Sequence, residues 1–115
     1  EAIMFAGHNK INNLILIIDN NKISMLDYCK KIIDLEPLEE KFKNFKWYVK
    51  RIDGHNIKEV YDTLLNLKTI NIEMPKVLIA DTIKGKGAPI LETDSLCHIK
   101  SLTKEQVENL LAELN

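Results

Sequence analysis

Three clusters of polar and glycine residues follow three apolar segments, and they contain the residue types best suited to chemistry. They are Asn20 to Lys22, Gly54 with His55, and Thr82 to Gly87. Asparagine oxygens and backbone carbonyls are hard ligands that suit Mg²⁺ or Ca²⁺, and a lysine beside glycines can meet a phosphate that the backbone approaches closely. The clusters therefore indicate a metal-assisted phosphate ligand. Asparagine and glycine are also the commonest turn residues, so spacing alone still favours three ordinary turns.

The three apolar segments that would position these clusters are each predicted to be a buried strand. They are LILIID (14–19), WYVKRID (47–53) and PKVLIAD (75–81), and each ends on an aspartate. Hydrophobicity that continues without alternating is typical of parallel strands covered on both faces. Because ligands bind beyond the carboxyl ends of parallel strands, we expect the three clusters to follow one edge of a sheet.

Helices are predicted between the strands and at both ends of the chain. They cover residues 2–11, 38–45 after Glu36-Pro37, 56–68 after a capping-box-like Asn56, and 103–114 after a similar signal. This order predicts an α/β fold, a parallel sheet of βαβαβ units with helices on both faces. A chain of 115 residues has room for one core, so residues 1–115 are predicted to form a single domain. Residues 84–102 fit no element, and a loop of that length is typical of functional or disordered segments.

Composition argues against several classes of partner. The chain has 16 basic and 17 acidic residues, and Arg51 is its only arginine. Neither net charge nor forked guanidinium contacts therefore favour nucleic acid. The longest apolar run, Leu14 to Ile18, is too short to cross a membrane. Cys29 and Cys97 lack zinc-site spacing, which is typical of a reduced, cytoplasmic protein.

Five stretches carry a more specific pattern along essentially the whole chain. In order they are EAIMFAGHNKINNLILIIDNNKIS, DLEPLEEKF, KWYVKRIDGHNI, PKVLIADTIKGKG and the later His98. Together they resemble transketolases, particularly bacterial members encoded as separate N- and C-terminal subunits. The first stretch is similar to the second half of the family's thiamine diphosphate motif. The resemblance implies a partial thiamine diphosphate-binding fold, the C-terminal part of an N-terminal subunit.

The resemblance also implies which residues form the site. Asn21 would be a side-chain ligand, and Ile23 a backbone-carbonyl ligand, of a Mg²⁺ or Ca²⁺ ion that anchors the cofactor thiamine diphosphate. Lys84 matches a cofactor-binding lysine of relatives that carry KGKG. His98 aligns with a catalytic histidine near the substrate and the diphosphate. The residues themselves leave alternatives open, since Asn21 also suits a turn amide and Lys84 an exposed loop lysine.

Other positions are predicted to be structural or depart from the family pattern. Asn20 and His55 are predicted to be structural, His55 in a strand-to-helix turn, and His8 is predicted to be a helix-surface or packed residue. The family usually has glycine and then proline after its catalytic histidine, whereas this chain continues with Ile99-Lys100-Ser101-Leu102. Lys46 replaces a glycine that precedes Trp47, in a turn that glycine would ease.

The resemblance implies a transferase that moves two-carbon ketol units between sugar phosphates, as in pentose phosphate metabolism. The family's Gly-Asp-Gly aspartate and its pyrimidine-binding domain, with the activating glutamate, are not among these 115 residues. We therefore expect the chain to be inactive alone and to need the remaining transketolase segments or subunits in a homo- or hetero-oligomer. Two alternatives remain, a 1-deoxyxylulose-5-phosphate synthase-like fragment and a non-catalytic remnant or interaction module with the same fold.

Overall fold

Three parallel strands form the sheet of the computed structural model, which describes residues 1–113. The strands are β1 (Ile15–Asn20), β2 (Tyr48–Asp53) and β3 (Lys76–Asp81), in the order β1-β3-β2. Asn20 and Asp53 are both in register with Asp81, so the three carboxyl ends lie level at one edge. The predicted parallel sheet is confirmed, and each strand begins one residue later than its predicted segment.

Each of the four predicted helices is present in the described residues, together with two additional short helices. They are α1 (Ala2–His8), α2 (Cys29–Ile32), α3 (Leu38–Asn44), α4 (Ile57–Thr69), α5 (Pro89–Glu92) and α6 (Lys104–Glu113). Helices α2 and α5 were not predicted, α1 ends earlier than predicted, and the predicted helical residue Leu114 lies outside the described residues. Within residues 1–113 no helix is both long enough and apolar enough to cross a membrane.

Contacts divide the chain into two units. The sheet unit comprises Glu1–Asn20 and Leu35–Thr82, and it contains the three strands with α1, α3 and α4. The loop unit comprises Asn21–Asp34 and Ile83–Asn115, and it contains α2, α5 and α6. That residues 1–115 act as one domain stays a prediction.

Helices cover both faces of the sheet, as predicted. The side chains of β3 alternate between two apolar clusters, with Val77 and Ile79 in the cluster that includes α1 and α3, and Leu78 in the cluster that includes α4. These three side chains and Leu67 of α4 are at most 1% exposed. Burying one such side chain contributes about 1.5–3 kcal/mol relative to leaving it in water. The central strand β3 therefore anchors both layers.

Helix α3 ends in a tight turn closed by Trp47. Trp47 N donates to the Phe42 carbonyl at 3.1 Å and Lys46 N donates to the Lys43 carbonyl at 2.9 Å, the two bonds of a Schellman motif. The Phe42 and Trp47 rings pack edge to face at 5.5 Å. Lys46 has φ 64°, a left-handed conformation that glycine adopts most easily. The same pair of bonds ends α1, with Lys10 at φ 50° in the equivalent position.

Helix α1 docks closely against the turn that follows α3. A Cβ atom on Gly7 would lie 1.8 Å from the Phe45 carbonyl oxygen, so only glycine permits this approach. The Trp47 indole N–H donates to the Ile3 carbonyl at 2.9 Å, which adds a polar tie between the same two segments. The end of α3 therefore fixes the position of α1 on the sheet.

The lysine at the left-handed position of α3 generates a stability prediction. Lys46→Gly is expected to raise the free energy of unfolding by about 0.5–1 kcal/mol, because glycine adopts this conformation without strain. Lys43→Gly, inside α3, is expected to lower it by about 0.5–1 kcal/mol, because glycine is a poor helix former. Urea unfolding followed by circular dichroism measures both variants. A lower stability of Lys46→Gly would contradict the assigned turn.

Candidate functional site

Arg51 on β2 lies at the centre of a polar network at the carboxyl edge of the sheet. Its Nε and Nη2 donate to the two carboxylate oxygens of Asp81 at 2.7 and 2.9 Å, and its Nη1 and Nη2 donate to Glu36 at 3.1 and 2.8 Å. The Asp81 carboxylate also accepts a hydrogen bond from the Asn20 amide at 2.8 Å. Asn20 is thus held by a side chain of the neighbouring strand, which supports its predicted structural role.

The network is stable because one guanidinium serves two carboxylates in a forked geometry. The Arg51 side chain is 24% exposed, so its ion pairs are partly shielded from solvent. Hydrogen bonds from Arg51 and from the Leu38 backbone N–H lower the pKa of Glu36 below its ordinary value of 4.5. Glu36 therefore stabilises the fold above about pH 4.5, and this contribution is lost as the pH falls through the lowered pKa.

Asn21, the predicted metal ligand, forms a side chain-to-backbone turn at the start of the loop unit. Its Oδ1 accepts a hydrogen bond from Ile23 N at 3.0 Å, and Lys22 between them has φ 65°. Beyond this turn, Ile23 forms an isolated antiparallel bridge with Tyr28. The contact is the turn-amide arrangement expected of asparagine. An amide oxygen has two lone pairs, so the same contact is compatible with metal ligation, which stays a prediction.

A pocket of about 190 Å³ in the loop unit brings together three of the four predicted site residues. It is lined by Ile23, Ser24, Met25, Lys84 and His98. Lys84 is half-buried and His98 is exposed. Asn21 is not among the lining residues, although it is bonded to Ile23. The pocket therefore places a backbone segment, an ammonium group and an imidazole around one space.

The glycines beside Lys84 are required by the local backbone. Gly85 and Gly87 have φ of 76° and 92°, both in the left-handed region. A Cβ atom on Gly85 would lie 2.7 Å from the Cβ of Leu91, and the Gly87 N–H donates to Glu92 Oε1 at 2.9 Å. The loop is thus folded onto α5, which holds Lys84 in place beside the pocket.

His98 lies in a run of turns that is closed by an ion pair. Lys100 Nζ donates to Asp94 Oδ2 at 2.7 Å, and Leu96 N donates to Asp94 Oδ1 at 2.9 Å. The hydrogen bond from Lys100 lowers the pKa of Asp94. Lys100 belongs to the Ile99-Lys100-Ser101-Leu102 stretch that follows His98, so a side-chain contact from this stretch closes the turn.

The donor chemistry of the predicted metal ligands suits a hard divalent cation. The side-chain oxygen of Asn21 and the backbone oxygen of Ile23 are the kind of donor that Mg²⁺ prefers, but octahedral coordination needs about six donors. Within residues 1–113 no group of three or more His, Cys, Asp or Glu side chains is placed to hold a metal. The two oxygens are of the donor type that such an ion takes, and any further ligands have to come from other groups.

The Ile-Asp-Gly-His segment is a strand-to-helix turn, as predicted. Asp53 Oδ1 accepts a hydrogen bond from His55 N at 2.9 Å, and Gly54 N donates to the Asp81 carbonyl at 2.8 Å. A Cβ atom on Gly54 would lie 2.5 Å from the Thr82 methyl carbon. These backbone contacts, all within the sheet unit, support a structural role for His55.

Sequence reasoning missed the central position of Arg51 and its partner Glu36. The available signal was a single arginine within a segment predicted to be a buried strand, where a charged side chain needs a counter-charge. Its two carboxylate partners are distant in sequence, and no spacing rule joins them. The register of the strands places Asp81 beside β2, and Glu36 contacts Arg51 from the residues that precede α3.

Comparisons with known sequences match this chain to transketolases. A family model described as transketolase, thiamine diphosphate binding domain, matches residues 1–114. The chain is 40% identical over 114 residues to the 6-deoxy-6-sulfo-D-fructose transketolase subunit SqwG of Clostridium sp. (strain MSTE9), a match that covers 99% of this chain and 41% of that protein. It is 35% identical to an apulose-4-phosphate transketolase subunit of Actinobacillus succinogenes, and this match also covers 99% of this chain and 41% of that protein. The chain spans 41% of the length of these curated relatives.

Solved structures give the same result for the fold. The chain matches transketolase from Campylobacter jejuni subsp. jejuni with a TM-score of 0.85 and 29% identity, over 97% of this chain and 17% of that one. It matches transketolase from Leishmania mexicana with a TM-score of 0.69 and 24% identity, over 76% of this chain and 13% of that one. These matches confirm the predicted α/β fold.

The Arg51 network generates a prediction of pH-dependent stability. Arg51→Met is expected to lower the free energy of unfolding at pH 7 by about 1–3 kcal/mol, because it leaves two carboxylates without their donor. The difference from the unsubstituted protein should shrink as the pH falls from about 4.5 through the lowered pKa of Glu36, because protonation removes the charge that Arg51 binds. Urea titrations at several pH values measure both effects.

Lys50→Met is the matched control, since Lys50 is the exposed neighbour of Arg51 on the same strand. It should change stability by no more than about 0.5 kcal/mol. Equal losses in the two variants would show that the network does not stabilise the sheet edge.

Proposed function

The chain belongs to the transketolase thiamine diphosphate binding domain family, and from this we propose that it supplies one side of the site of a thiamine diphosphate- and Mg²⁺-dependent transketolase. The whole enzyme would transfer two-carbon ketol units between sugar phosphates. The observation that carries the proposal is the loop-unit pocket, in which Ile23, Lys84 and His98 line one space. The family resemblance assigns these same three residues to the cofactor site, independently of their proximity.

The residues of the pocket suit the parts of a diphosphate site. Thiamine diphosphate, when bound, supplies a carbanion that attacks a ketose carbonyl and an electron sink that stabilises the product of the attack. Asn21 Oδ1 and the Ile23 carbonyl would hold Mg²⁺, whose other donors would be phosphate oxygens, water and groups outside this chain. The Lys84 ammonium would neutralise diphosphate charge. The His98 imidazole would donate a hydrogen bond or transfer a proton at a substrate oxygen.

Several observations support the need for partner segments. The curated relatives named above are called subunits, and this chain spans 41% of their length. Strand β1 lies at an edge of the described sheet, and its Ile17 side chain is 56% exposed. An edge strand with exposed apolar side chains is prone to pair with further chain. We infer that the remaining transketolase segments, including the pyrimidine-binding domain, complete the site within a homo- or hetero-oligomer.

The names of the relatives bear on substrate and alternatives. The relatives named above are transketolases, which favours this activity over 1-deoxyxylulose-5-phosphate synthase. Two of them carry an anionic sugar in their names, a sulfo-sugar in one and a sugar phosphate in the other. We infer an anionic sugar, most simply a sugar phosphate, as the substrate class. Cys29 and Cys97 are both free thiols, which supports the expected cytoplasmic location.

The proposed metal and diphosphate contacts generate a binding prediction. In the whole protein, Asn21→Ala and Lys84→Ala are each expected to weaken Mg²⁺-dependent binding of thiamine diphosphate by at least about tenfold, because each removes a direct contact. Calorimetric titration of the cofactor with and without Mg²⁺ measures the dissociation constants. Asn21→Ala should also lower the apparent affinity for Mg²⁺, whereas Lys84→Ala should not.

Matched controls come from the same chain. Lys86→Ala changes an exposed lysine of the same loop, and Asn13→Ala changes an exposed asparagine of the sheet unit. Both should bind the cofactor as the unsubstituted protein does. If Asn21→Ala and Lys84→Ala bind the cofactor equally well too, the proposed contacts are wrong. If the unsubstituted protein does not bind the cofactor either, the non-catalytic alternative replaces the enzymatic one.

The proposed role of His98 generates a kinetic prediction. His98→Ala in the assembled enzyme is expected to lower kcat by about 10²–10⁴-fold, the usual effect of losing a proton-transferring side chain. The dissociation constant of the cofactor should change much less. His8→Ala, at an exposed histidine of α1, is the control and should retain activity. Steady-state ketol transfer assays would rule out a catalytic role if His98→Ala and His8→Ala behaved alike.

A further inference from the structure

A second, larger pocket lies at the opposite end of the strands from the Arg51 network, within the sheet unit. Its volume is about 390 Å³, within the range of about 300–1,000 Å³ typical of small-molecule sites. Its polar lining comes from the loop before β1, the end of α4 with the loop that follows it, and the start of β3. It consists of Asn12, Asn13, Lys68, Thr69, Asn71 and Lys76. None of the lining residues is acidic. The pocket is therefore cationic and rich in hydrogen-bond donors.

Lys76 is the residue that calls for an explanation. It is only 5% exposed, and its Nζ donates to the Asn12 carbonyl at 2.7 Å. Among residues 1–113, Lys76 forms no ion pair. The nearby Glu73 carboxylate is bonded to Lys10 at 3.0 Å and does not line the pocket. A buried positive charge is thus held by one neutral oxygen of the protein.

An anion would complete this arrangement. An ammonium has three donors, of which one carbonyl uses only one, and in a partly buried pocket an ion pair is less screened than in bulk water. Buried charges in proteins are normally paired. Lys68 at the rim adds a second positive charge, and amide side chains of asparagine add neutral donors. The lining therefore supplies positive charge and hydrogen-bond donors for an anion. No lining residue carries a carboxylate that would repel an anion or pair with the lysines.

The end of α4 is the one feature that opposes an anion, because helix C-terminal carbonyls carry partial negative charge. Two carbonyls near this end accept additional hydrogen bonds. The Thr69 hydroxyl donates to the Leu65 carbonyl at 2.9 Å, and Ile70 N donates to the Asn66 carbonyl at 2.8 Å. Lys68 in the last turn offsets the remaining charge. The positive charge of Lys76 and Lys68 therefore dominates the pocket.

We propose that this pocket binds a tetrahedral oxyanion, namely phosphate or the phosphate group of a monoester, with Lys76 as its buried counter-charge. A tetrahedral oxyanion presents several acceptor oxygens, which suits donors that converge from three separate segments. The proposal does not rest on thiamine diphosphate binding, because every lining residue belongs to the sheet unit. It gives a function to a buried lysine that the cofactor site does not use.

Inorganic phosphate is the probe that tests this proposal. Thermal unfolding of the whole protein is followed as phosphate replaces chloride at constant ionic strength, and the saturable rise in Tm gives a dissociation constant. The rise is expected in the unsubstituted protein and in the control Lys30→Met, at an exposed lysine of α2. Lys76→Met should weaken phosphate binding by at least about tenfold, because it removes a charged donor.

Two further variants keep the result unambiguous. Asn71→Asp places a negative charge in the pocket and leaves Lys76 intact, so it should abolish the response even if Lys76→Met fails to fold. Lys84→Ala should keep the response. Loss of the response in Lys84→Ala but not in Lys76→Met would show that phosphate acts in the cofactor pocket, and the proposal would be wrong. An equal effect of phosphate and chloride on the unsubstituted protein would also overturn it.

Discussion

The forked contact of Arg51 with Asp81 and Glu36 is the interaction on which the arrangement of the chain depends. The chain passes between the sheet unit and the loop unit after Asn20, before Leu35 and after Thr82. Each passage lies within two residues of a member of the network, namely Asn20, Glu36 or Asp81. One guanidinium therefore ties together, on the sheet side, all three points from which the loops depart. Loops that carry a site gain their geometry from such rigid starting points.

Much of the fold could be predicted from the sequence, because its strands are continuous apolar runs and its longer helices begin at capping signals. The Thr103 capping box is a clear case, since Thr103 and Gln106 exchange both expected hydrogen bonds. Helices α2 and α5 are single turns, too short to show a periodic pattern. The strand order could not be predicted either, since it depends on which crossover packs best and not on any local signal.

The candidate site was predictable only through the family resemblance. Spacing alone gave three clusters of turn residues, and the structure shows that turn contacts are present at Asn21 and at His55. The resemblance selected Ile23, Lys84 and His98, and these residues line one pocket. Neither residue spacing nor the family resemblance indicated Lys76. A lysine at the first position of a strand carries no pattern, and only its burial makes it unusual.

The contact between α1 and the turn after α3 also has a spectroscopic consequence. Trp47 is the only tryptophan of the chain, it is 4% exposed, and its indole N–H is bonded to a carbonyl of α1. Its fluorescence therefore reports on whether that helix is seated, because undocking would expose the indole to water and shift its emission to longer wavelength. The chain thus contains an intrinsic optical probe on the face of the sheet covered by α1 and α3, which follows local opening there without any added label.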